Sequence, residues 1–308
     1  MNVPQRASHF SGLFFILLTS LIWGLTFPIA KYLLMTGLTP ELLLGLRFTI
    51  GSLILLGFVL TQPLRFPRQT YIDGLVLGIG LAAIFWLQMH GLQTTTATKS
   101  GFITGFYVIF TFILATLLGD KLNRYHIIAS LIAVLGLGLF AYKPEEPFGG
   151  WTVGDSQTLL SAFLIGVNIV LTSIYAKRTA PLILALLKCS VVAVVLSAMA
   201  FVQTTPEQFD LLKQLSYQSS FWIPLLYLAI FATSIAFWFQ CRFQPSLTST
   251  ETGVIFSLEP VFGAILAATG WIPGIQDHWG AVSLTGAALM FIATLVSQWP
   301  SGNAAKTH

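Results

Sequence analysis

The sequence predicts an all-α polytopic membrane protein with ten transmembrane helices arranged as two inverted five-helix repeats. Three observations lead to this fold class: the composition, the recurrence of long apolar stretches, and a segment that occurs twice. Hydrophobic residues make up 55% of the 308 residues and charged residues only 8%, whereas a soluble domain carries roughly 25% charged residues. A soluble chain of this composition would lack a polar surface, so we expect this chain to lie in a lipid bilayer.

Apolar stretches long enough to cross the bilayer recur along the whole chain. A helix rises 1.5 Å per residue, so about 20 apolar residues cross a hydrocarbon core of roughly 30 Å. The sequence contains no run of strictly alternating segments of the kind that builds a membrane β-barrel. The predicted spans are 12–35, 41–61, 71–92, 98–119, 125–142, 155–177, 181–203, 220–241, 247–270 and 279–298.

One stretch of the chain occurs twice, 152 positions apart. Residues 85–115 and 237–267 both begin Phe-Trp-x-Gln, and 11 of their 31 positions are identical. An earlier match, at a shift of 141, relates Pro40 and Arg47 to Pro181 and Lys188. The chain is therefore expected to consist of two related halves, 12–142 and 155–298, and many secondary transporters are built from such repeats with the substrate site between them.

The positive charges predict the orientation of the helices. With ten spans and a cytoplasmic N-terminus, two lysines fall in outer loops, Lys143 and Lys213. Nine cations fall inside: Arg6, Arg65, Arg68, Lys121, Arg124, Lys177, Arg178, Arg242 and Lys306. This bias places both termini in the cytoplasm, and it accounts for the basic pI near 9.1 without nucleic-acid binding. Because each half has an odd number of helices, the second half enters the membrane inverted.

Short motifs in both halves resemble a known family. The motifs are Trp23-Gly24, Phe27-Pro28 and Lys31, then Pro40 and Arg47-Phe48, Gly119-Asp120-Lys121-Leu122, and Leu258-Glu259-Pro260-Val261-Phe262. In order and spacing they resemble the drug/metabolite transporter superfamily, in its ten-helix branch with paired EamA domains. Two departures are Thr269-Gly270-Trp271-Ile272, where the family often has an acidic residue, and Tyr107-Val108, where the second half has Glu259-Pro260. The resemblance implies a bacterial inner-membrane exporter of amino acids or other small metabolites.

Glu259 is the first candidate for a functional residue. It lies near the middle of the ninth predicted span, where a carboxylate costs about 2.5–3.5 kcal/mol on insertion scales and usually faces a cavity or a partner. It is either an anchor for a substrate amine or coupling proton, or a structural hydrogen-bonding group beside Pro260, which frees a backbone carbonyl one turn earlier. Glu251, in the first turns of the same span, is expected to stabilise the helix N-terminus.

The intramembrane cations Arg47, Lys188 and Lys31 are expected to serve as structural or gating charges. Arg47 and Lys188 occupy equivalent places in inverted halves, within about two turns of opposite membrane surfaces, where long side chains can snorkel to water. Each would hold one face closed in turn, and binding of a substrate carboxylate is the alternative. Cations near the surfaces argue against a nucleotide-sugar or phosphate substrate, which needs several cations at mid-depth.

Other candidates are aromatic and amide side chains expected to line a cavity between the halves. An indole offers a flat face and an N–H donor, and an amide orients polar groups. The alternatives are an interfacial tryptophan and an interhelical hydrogen bond. With Glu259, the predicted lining is Trp23, Thr26, Phe27, Gln88, Phe106, Tyr107, Asn168, Tyr175, Trp238 and Gln240.

These observations predict a secondary transporter that exports a small polar metabolite by alternating access. The sequence contains no phosphate-binding loop and no His/Cys/carboxylate cluster with metal-ligand spacing, so neither ATP, a metal nor another cofactor is expected. The expected partners are a small-molecule substrate, the lipid bilayer and a coupling proton. An intramembrane enzyme acting on a lipid-linked substrate and a passive small-solute channel are the alternatives.

Overall fold

The computed structural model describes residues 7–61, 66–91, 94–95, 97–120, 124–142, 150–274 and 280–299, and every regular element in these ranges is helical. We number the long helices α1 to α10. They are α1 (His9–Gly24 and Thr26–Leu34), α2 (Pro40–Val59), α3 (Arg68–Gly91), α4 (Ala97–Thr104 and Tyr107–Leu117), α5 (Arg124–Ala141), α6 (Val153–Tyr175), α7 (Pro181–Gln203), α8 (Ser219–Ser246), α9 (Ser249–Phe256 and Glu259–Ala268) and α10 (Ala281–Ser297). A short helix, Pro206–Leu215, precedes α8.

The prediction of a polytopic helical membrane protein is confirmed. Within the described ranges, nine helices are long and apolar enough to cross a bilayer, and these are α1 to α9. The tenth, α10, is also apolar but has 17 residues, which rise about 26 Å. The count of ten spans therefore stays a prediction, as does the orientation. Five of the cations used to orient the chain lie outside the described residues: Arg6, Arg65, Lys121, Lys143 and Lys306.

Two helices are interrupted at equivalent places. In α4 the break follows Thr104 and the helix resumes at Tyr107; in α9 it follows Phe256 and resumes at Glu259, 152 residues later in each case. Pro260 explains the second break, because proline has no N–H to donate and disfavours helical geometry in the preceding residue. The two breaks thus lie at equivalent positions, although only the second has a proline beside it.

Two further irregularities, one in each half, have no counterpart in the other half. The first helix is interrupted at Leu25, between His9–Gly24 and Thr26–Leu34. Within α8, residues Ile230–Ile235 form a π-helical turn, a geometry that is often associated with functional sites. The counterparts α6 and α3 are continuous.

The helices pack as matched pairs. The second and seventh helices lie against each other, as do the fifth and tenth, and α3 packs against both α6 and α7. The broken helices make equivalent contacts, because α4 packs against α6 and α9 packs against α1. One buried cluster, which includes Phe48 and Phe237, joins α2, α3, α7 and α8. The site described below lies at the edge of this cluster.

The polar segment around 204–219 contains a short helix. Pro206–Leu215 is amphipathic, and Leu211 and Leu215 pack against Leu33. Gln208 Nε2 donates a hydrogen bond to Gly37 O at 3.1 Å, which ties the helix to the turn between α1 and α2.

Candidate functional site

Glu259 has a carboxylate with no hydrogen-bond or ion-pair partner among the described residues. It is the first residue of the second helix of α9, it is half-buried, and none of the described residues donates a hydrogen bond to its carboxylate or forms an ion pair with it. Tyr107, the counterpart of Glu259 in the first half, is buried. Of these two equivalent positions, only the one in the second half carries a carboxylate.

The break in α1 lies against the break in α9. A Cβ atom on Gly24 would lie 2.5 Å from the carbonyl oxygen of Glu259 and 2.7 Å from Cβ of Phe262, so only glycine allows this approach. The contact brings Trp23 beside the Glu259 region. The indole Nε1 of Trp23 donates a hydrogen bond to the carbonyl oxygen of Ala232 at 2.9 Å.

Aromatic rings connect Trp23 to the core of the bundle. Its ring centroid lies 5.0 Å from that of Phe256 and 5.0 Å from that of Phe237. Phe237 is also 5.9 Å from Phe48, which is 5.2 Å from Phe85. We call these four rings, Phe48, Phe85, Phe237 and Trp23, the central aromatic cluster.

Arg47 is buried against this cluster and hydrogen-bonded to the π-helical turn. Its Nε donates to Thr233 Oγ1 at 2.9 Å, and its Nη2 donates to Ala232 O at 3.3 Å. Its guanidinium carbon lies 5.2 Å from the centre of the Phe48 ring and 6.0 Å from that of Phe85. The carbonyl of Ala232 therefore accepts hydrogen bonds from both Arg47 and Trp23.

Lys188 contacts a different ring of the same cluster, that of Phe237, and is fully buried, with 0% exposure. Its Nζ donates to Gln240 Oε1 at 3.0 Å and to Thr172 Oγ1 at 3.5 Å, and it lies 5.0 Å from the centre of the Phe237 ring. Its hydrogen-bond acceptors, like those of Arg47, are neutral.

The structure corrects the expected surroundings of these two cations. The sequence analysis placed Arg47 and Lys188 toward opposite surfaces with access to water, but both are buried and both contact the central aromatic cluster. Neutral oxygen acceptors and ring faces replace water around each charge, so neither side chain snorkels. The prediction that disfavoured a nucleotide-sugar or phosphate substrate assumed cations near the membrane surfaces, and this burial removes its basis.

Two polar candidates make interhelical or local hydrogen bonds. Asn168 Nδ2 donates to Leu77 O at 2.9 Å, which joins α6 to α3. Thr26 Oγ1 donates to Trp23 O at 2.6 Å, across the break in α1. Both side chains are buried, and both contacts have a structural explanation.

The remaining candidates are not brought together with Glu259. Phe27 is 59% exposed, Trp238 is 37% exposed, and Lys31 is exposed. Tyr175 lies under the guanidinium of Arg178, and the Phe106 ring lies 5.4 Å from that of Phe102. Gln88 is half-buried, with no contact to Lys188 like that of Gln240. Roles for these six side chains in binding remain predictions.

A polar cluster at the start of α3 was not predicted from the sequence. The carboxylate of Asp73 is 1% exposed and accepts hydrogen bonds from Arg178 (2.9 and 2.6 Å), Thr179 (3.0 Å) and Gln69 (2.8 Å). The bond to Asp73 raises the pKa of the Arg178 guanidinium above its ordinary value. An acidic residue one turn into a predicted span was the available signal. The cluster ties α3 to the loop between α6 and α7.

Removing Arg178 from this cluster should destabilise the fold without removing transport. We expect Arg178→Gln to lower the free energy of unfolding by about 1 kcal/mol, because the arginine is 47% exposed and solvent screens the pair. Thermal unfolding of the purified protein measures this loss. Lys177→Gln, which removes the neighbouring exposed cation, is the matched control, and equal unfolding temperatures for the two variants would contradict the assignment.

Capping interactions hold both ends of the bundle together. Glu251 forms a capping box with Thr248, as its predicted role at the helix N-terminus requires, and its Oε1 lies 3.2 Å from Nε2 of His9 in α1. Asp155 forms the same kind of box at the start of α6 and accepts a 2.6 Å hydrogen bond from Thr95. The start of α1 is thus joined to α9, and the start of α6 to the segment preceding α4.

The described residues offer no set of three or more His, Cys, Asp or Glu side chains placed to hold a metal ion. What the centre of the bundle offers is an unpaired carboxylate, two buried cations on neutral acceptors, and a set of aromatic rings. This combination suits reversible binding of a small amphipathic solute.

Comparisons with known proteins agree with the helical architecture. Residues 10–142 and 152–299 each match the EamA-like transporter family. An uncharacterized transporter from Archaeoglobus fulgidus is 28% identical over 280 residues, which cover 91% of this chain and 83% of that protein. The uncharacterized transporter YetK from Bacillus subtilis is 29% identical over 241 residues, covering 72% of this chain and 68% of that protein. A crystal structure at 18% identity superimposes with a TM-score of 0.75 over 95% of this chain and 97% of its own, which shows a shared fold.

Proposed function

Because the chain belongs to the EamA-like transporter family, we propose that it exports small polar metabolites, amino acids or related compounds foremost, across the bacterial inner membrane. The predicted resemblance to this family is confirmed, and the protein is a membrane transporter and not an enzyme. The proposal adds alternating access of a central site between two inverted halves, both termini in the cytoplasm, and no use of ATP.

Matching contacts in the two halves support the inverted-repeat part of the proposal, and they are the observation that carries it. A Cβ atom on Gly24 would meet Cβ of Phe262 and the backbone nitrogen of Gly263. One on Gly166 would meet the equivalent atoms of Phe110 and Thr111, each at 3.0 Å. The close contact of α1 with α9 is thus repeated as a contact of α6 with α4, and we call these contacts the α1–α9 joint and the α6–α4 joint. The two glycines are 142 residues apart in the sequence, and the residues that they meet are 152 residues apart.

The buried cations follow the same relation. Arg47 lies over the ring of Phe85, and Lys188 lies over the ring of Phe237. These pairs are related by the shifts of 141 and 152 found in the sequence. Two halves with equivalent contacts and opposite membrane orientation can exchange conformations, so that each face opens in turn.

The substrate site of this proposal lies where Trp23, Tyr107 and Glu259 meet. The charge of this site comes from Glu259 in the second half, and the first half has Tyr107 at the equivalent position. The site would therefore be asymmetric, although the two halves that form it are related by symmetry. A carboxylate without a protein partner can hold a substrate ammonium group or a coupling proton. The capping contacts of Glu251 and Asp155 would hold the two ends of this pathway when it is closed.

Counterflow in proteoliposomes tests this function. Vesicles are loaded with unlabelled amino acids, sugars, nucleosides or organic cations, and uptake of the labelled compound is followed without ATP. We expect saturable uptake that is stimulated by the same solute on the other side for at least one class, with amino acids foremost. Flux that rises linearly with concentration and shows no such stimulation would instead identify a passive channel.

A further inference from the structure

Arg47 and Lys188 occupy equivalent positions in the two halves, but their charged groups differ in one chemical property. An arginine guanidinium stays protonated in proteins, whereas a lysine amine can release its proton. Both side chains are buried, and both donate hydrogen bonds to neutral oxygens. Neither forms an ion pair with a carboxylate of the described residues. Of these two positions, only the one in the second half can therefore change its charge.

The surroundings of Lys188 suit both the charged and the neutral form of its side chain. An ammonium group has three N–H donors, and a neutral amine has two. Nζ donates to Gln240 Oε1 at 3.0 Å and to Thr172 Oγ1 at 3.5 Å, and these two acceptors satisfy the neutral amine. The face of the Phe237 ring, whose centre lies 5.0 Å from Nζ, stabilises the charged form. The proton can therefore leave and return while these contacts persist.

The side chains around Lys188 supply no anion that would fix its charge. Asp73, an acidic residue of the neighbouring helix α3, already accepts hydrogen bonds from Arg178, Thr179 and Gln69. Thiols buried in apolar surroundings are inert. The charged or titratable side chains that border the buried cluster of Phe237, besides Lys188, are Arg47 of α2, Tyr175 of α6, Cys189 of α7 and Cys241 of α8.

Polar side chains connect Lys188 to the turn between α8 and α9. Gln244 lies one helical turn after Gln240 and is fully buried. Its Nε2 donates to Ser173 Oγ at 2.7 Å, and Ser173 follows Thr172, one of the two acceptors of Lys188. Its Oε1 accepts no hydrogen bond from any residue that the structure describes. A buried amide oxygen normally has a donor, so this atom suits a water molecule that passes a proton along the row.

From these observations we infer that Lys188 binds and releases the coupling proton of transport. The inference rests on the proposed transport function and assigns its proton step to one residue. A proton from water at one membrane face joins the lone pair of Nζ, and it returns to water at the other face after the conformation changes. Arg47 is the fixed charge at the equivalent position, and the carboxylate of Glu259 is left to hold a substrate ammonium group.

Protonation of Lys188 links proton movement to the exchange of conformations. In this conformation the side chain is 0% exposed to solvent, so the pathway is closed around it. The charged form has neither hydration nor an anion there, and it favours a conformation in which one face is open to water. The neutral form keeps its two hydrogen bonds and favours closure. Binding and release of one proton thus shift the balance between the open and closed conformations.

NMR of the full chain in lipid nanodiscs, labelled with a nitrogen isotope at lysine Nζ, measures the protonation of Lys188 directly. The signal of Lys188 is identified by its loss in Lys188→Arg, or in Lys188→Met if the arginine variant does not fold. We expect this signal to change from ammonium to amine between about pH 6 and about pH 9. The exposed control Lys177, identified with Lys177→Gln, should stay ammonium over this range. A Lys188 signal that stays ammonium throughout, or stays amine throughout, would overturn the inference.

Accumulation in proteoliposomes tests the coupling itself. The solute is one that shows saturable counterflow, and a gradient of about one pH unit supports up to about tenfold accumulation when one proton is exchanged per solute. Divided by the counterflow rate of the same variant, this accumulation should fall about fivefold or more in Lys188→Arg, whose charge is fixed, and be preserved in Lys177→Gln. Counterflow without accumulation in the unaltered protein, or an unchanged ratio in Lys188→Arg, would overturn the coupling role. Absence of counterflow for every solute would instead remove the transport proposal, whatever the NMR titration shows.

Discussion

Glu259→Gln is expected to reduce counterflow at least a hundredfold, or to leave a flux that no longer changes with pH. The side chain is half-buried in the bundle, and no described residue neutralises it. If it holds a substrate ammonium group, the neutral amide loses the attraction of opposite charges; if it carries the coupling proton, the amide cannot exchange that proton. Uptake into proteoliposomes across a range of pH values, with and without an imposed pH gradient, distinguishes these two cases.

Glu251→Gln is the matched control for this experiment. Both glutamates lie on α9, but Glu251 caps its own helix and contacts His9. Glutamine can keep the capping hydrogen bond to the backbone nitrogen of Thr248, so this variant removes only the charge near the helix N-terminus and His9. It should lower the free energy of unfolding by about 0.3–1 kcal/mol and leave the pH dependence of transport intact. Unchanged flux with an unchanged pH response in Glu259→Gln would exclude Glu259 from the mechanism and support its alternative role beside Pro260.

The spans and their repetition could be predicted from the sequence because both depend on patterns longer than a helix. Apolar stretches of about 20 residues are visible without structural information. The shift of 152 residues, found from Phe-Trp-x-Gln, also relates the breaks that precede Tyr107 and Glu259. The π-helical turn at Ile230–Ile235 could not be predicted in this way, because the hydropathy pattern does not report the register of backbone hydrogen bonds.

Within the duplicated motif, the structure buries a different aromatic ring from the one that was predicted to line the site. Trp238 was expected to line the site, but it is 37% exposed, whereas Phe237 is 3% exposed and lies in the central aromatic cluster. Phe237 and Gln240 are three residues apart and share one face of α8, while Trp238 points away from it. Helical periodicity applied within the motif would have selected Phe237 and Gln240 together.

The depth of the two cations could not be read from their positions along α2 and α7. A distance counted in residues locates the Cα atom, but the charged group of Arg47 or Lys188 lies several bonds away and follows its acceptors. Those acceptors, Thr233 and Gln240, lie on a helix that is distant in sequence. Only the packed structure shows that both charged groups contact rings of one aromatic cluster.

Gly24→Ala and Gly166→Ala are both expected to destabilise the protein, and Gly57→Ala is expected not to. A methyl group on Gly24 would overlap the backbone of α9, and one on Gly166 would press against the backbone of α4. Overpacking of this kind costs about 1–3 kcal/mol. Around Gly57, in α2, no heavy atom lies within 4 Å of the added methyl group, so alanine there gains up to about 1 kcal/mol of helix propensity.

Thermal unfolding of the three variants therefore tests the two-fold relation between the halves directly. If the α1–α9 and α6–α4 joints are equivalent, Gly24→Ala and Gly166→Ala should both lose stability, while Gly57→Ala keeps or gains it. The loss should be larger for Gly24→Ala, because its methyl group would lie 2.5 Å from a backbone oxygen, whereas that of Gly166→Ala would lie 3.0 Å from its nearest neighbours. A loss at Gly24 with none at Gly166 would mean that the halves share a sequence origin but no longer share this joint. Counterflow measurements distinguish the two joints further. Of these two glycines, Gly24 is the one that lies against Glu259, so its added methyl group should displace the charged part of the proposed site. Gly24→Ala should therefore impair counterflow more than Gly166→Ala at equal amounts of folded protein.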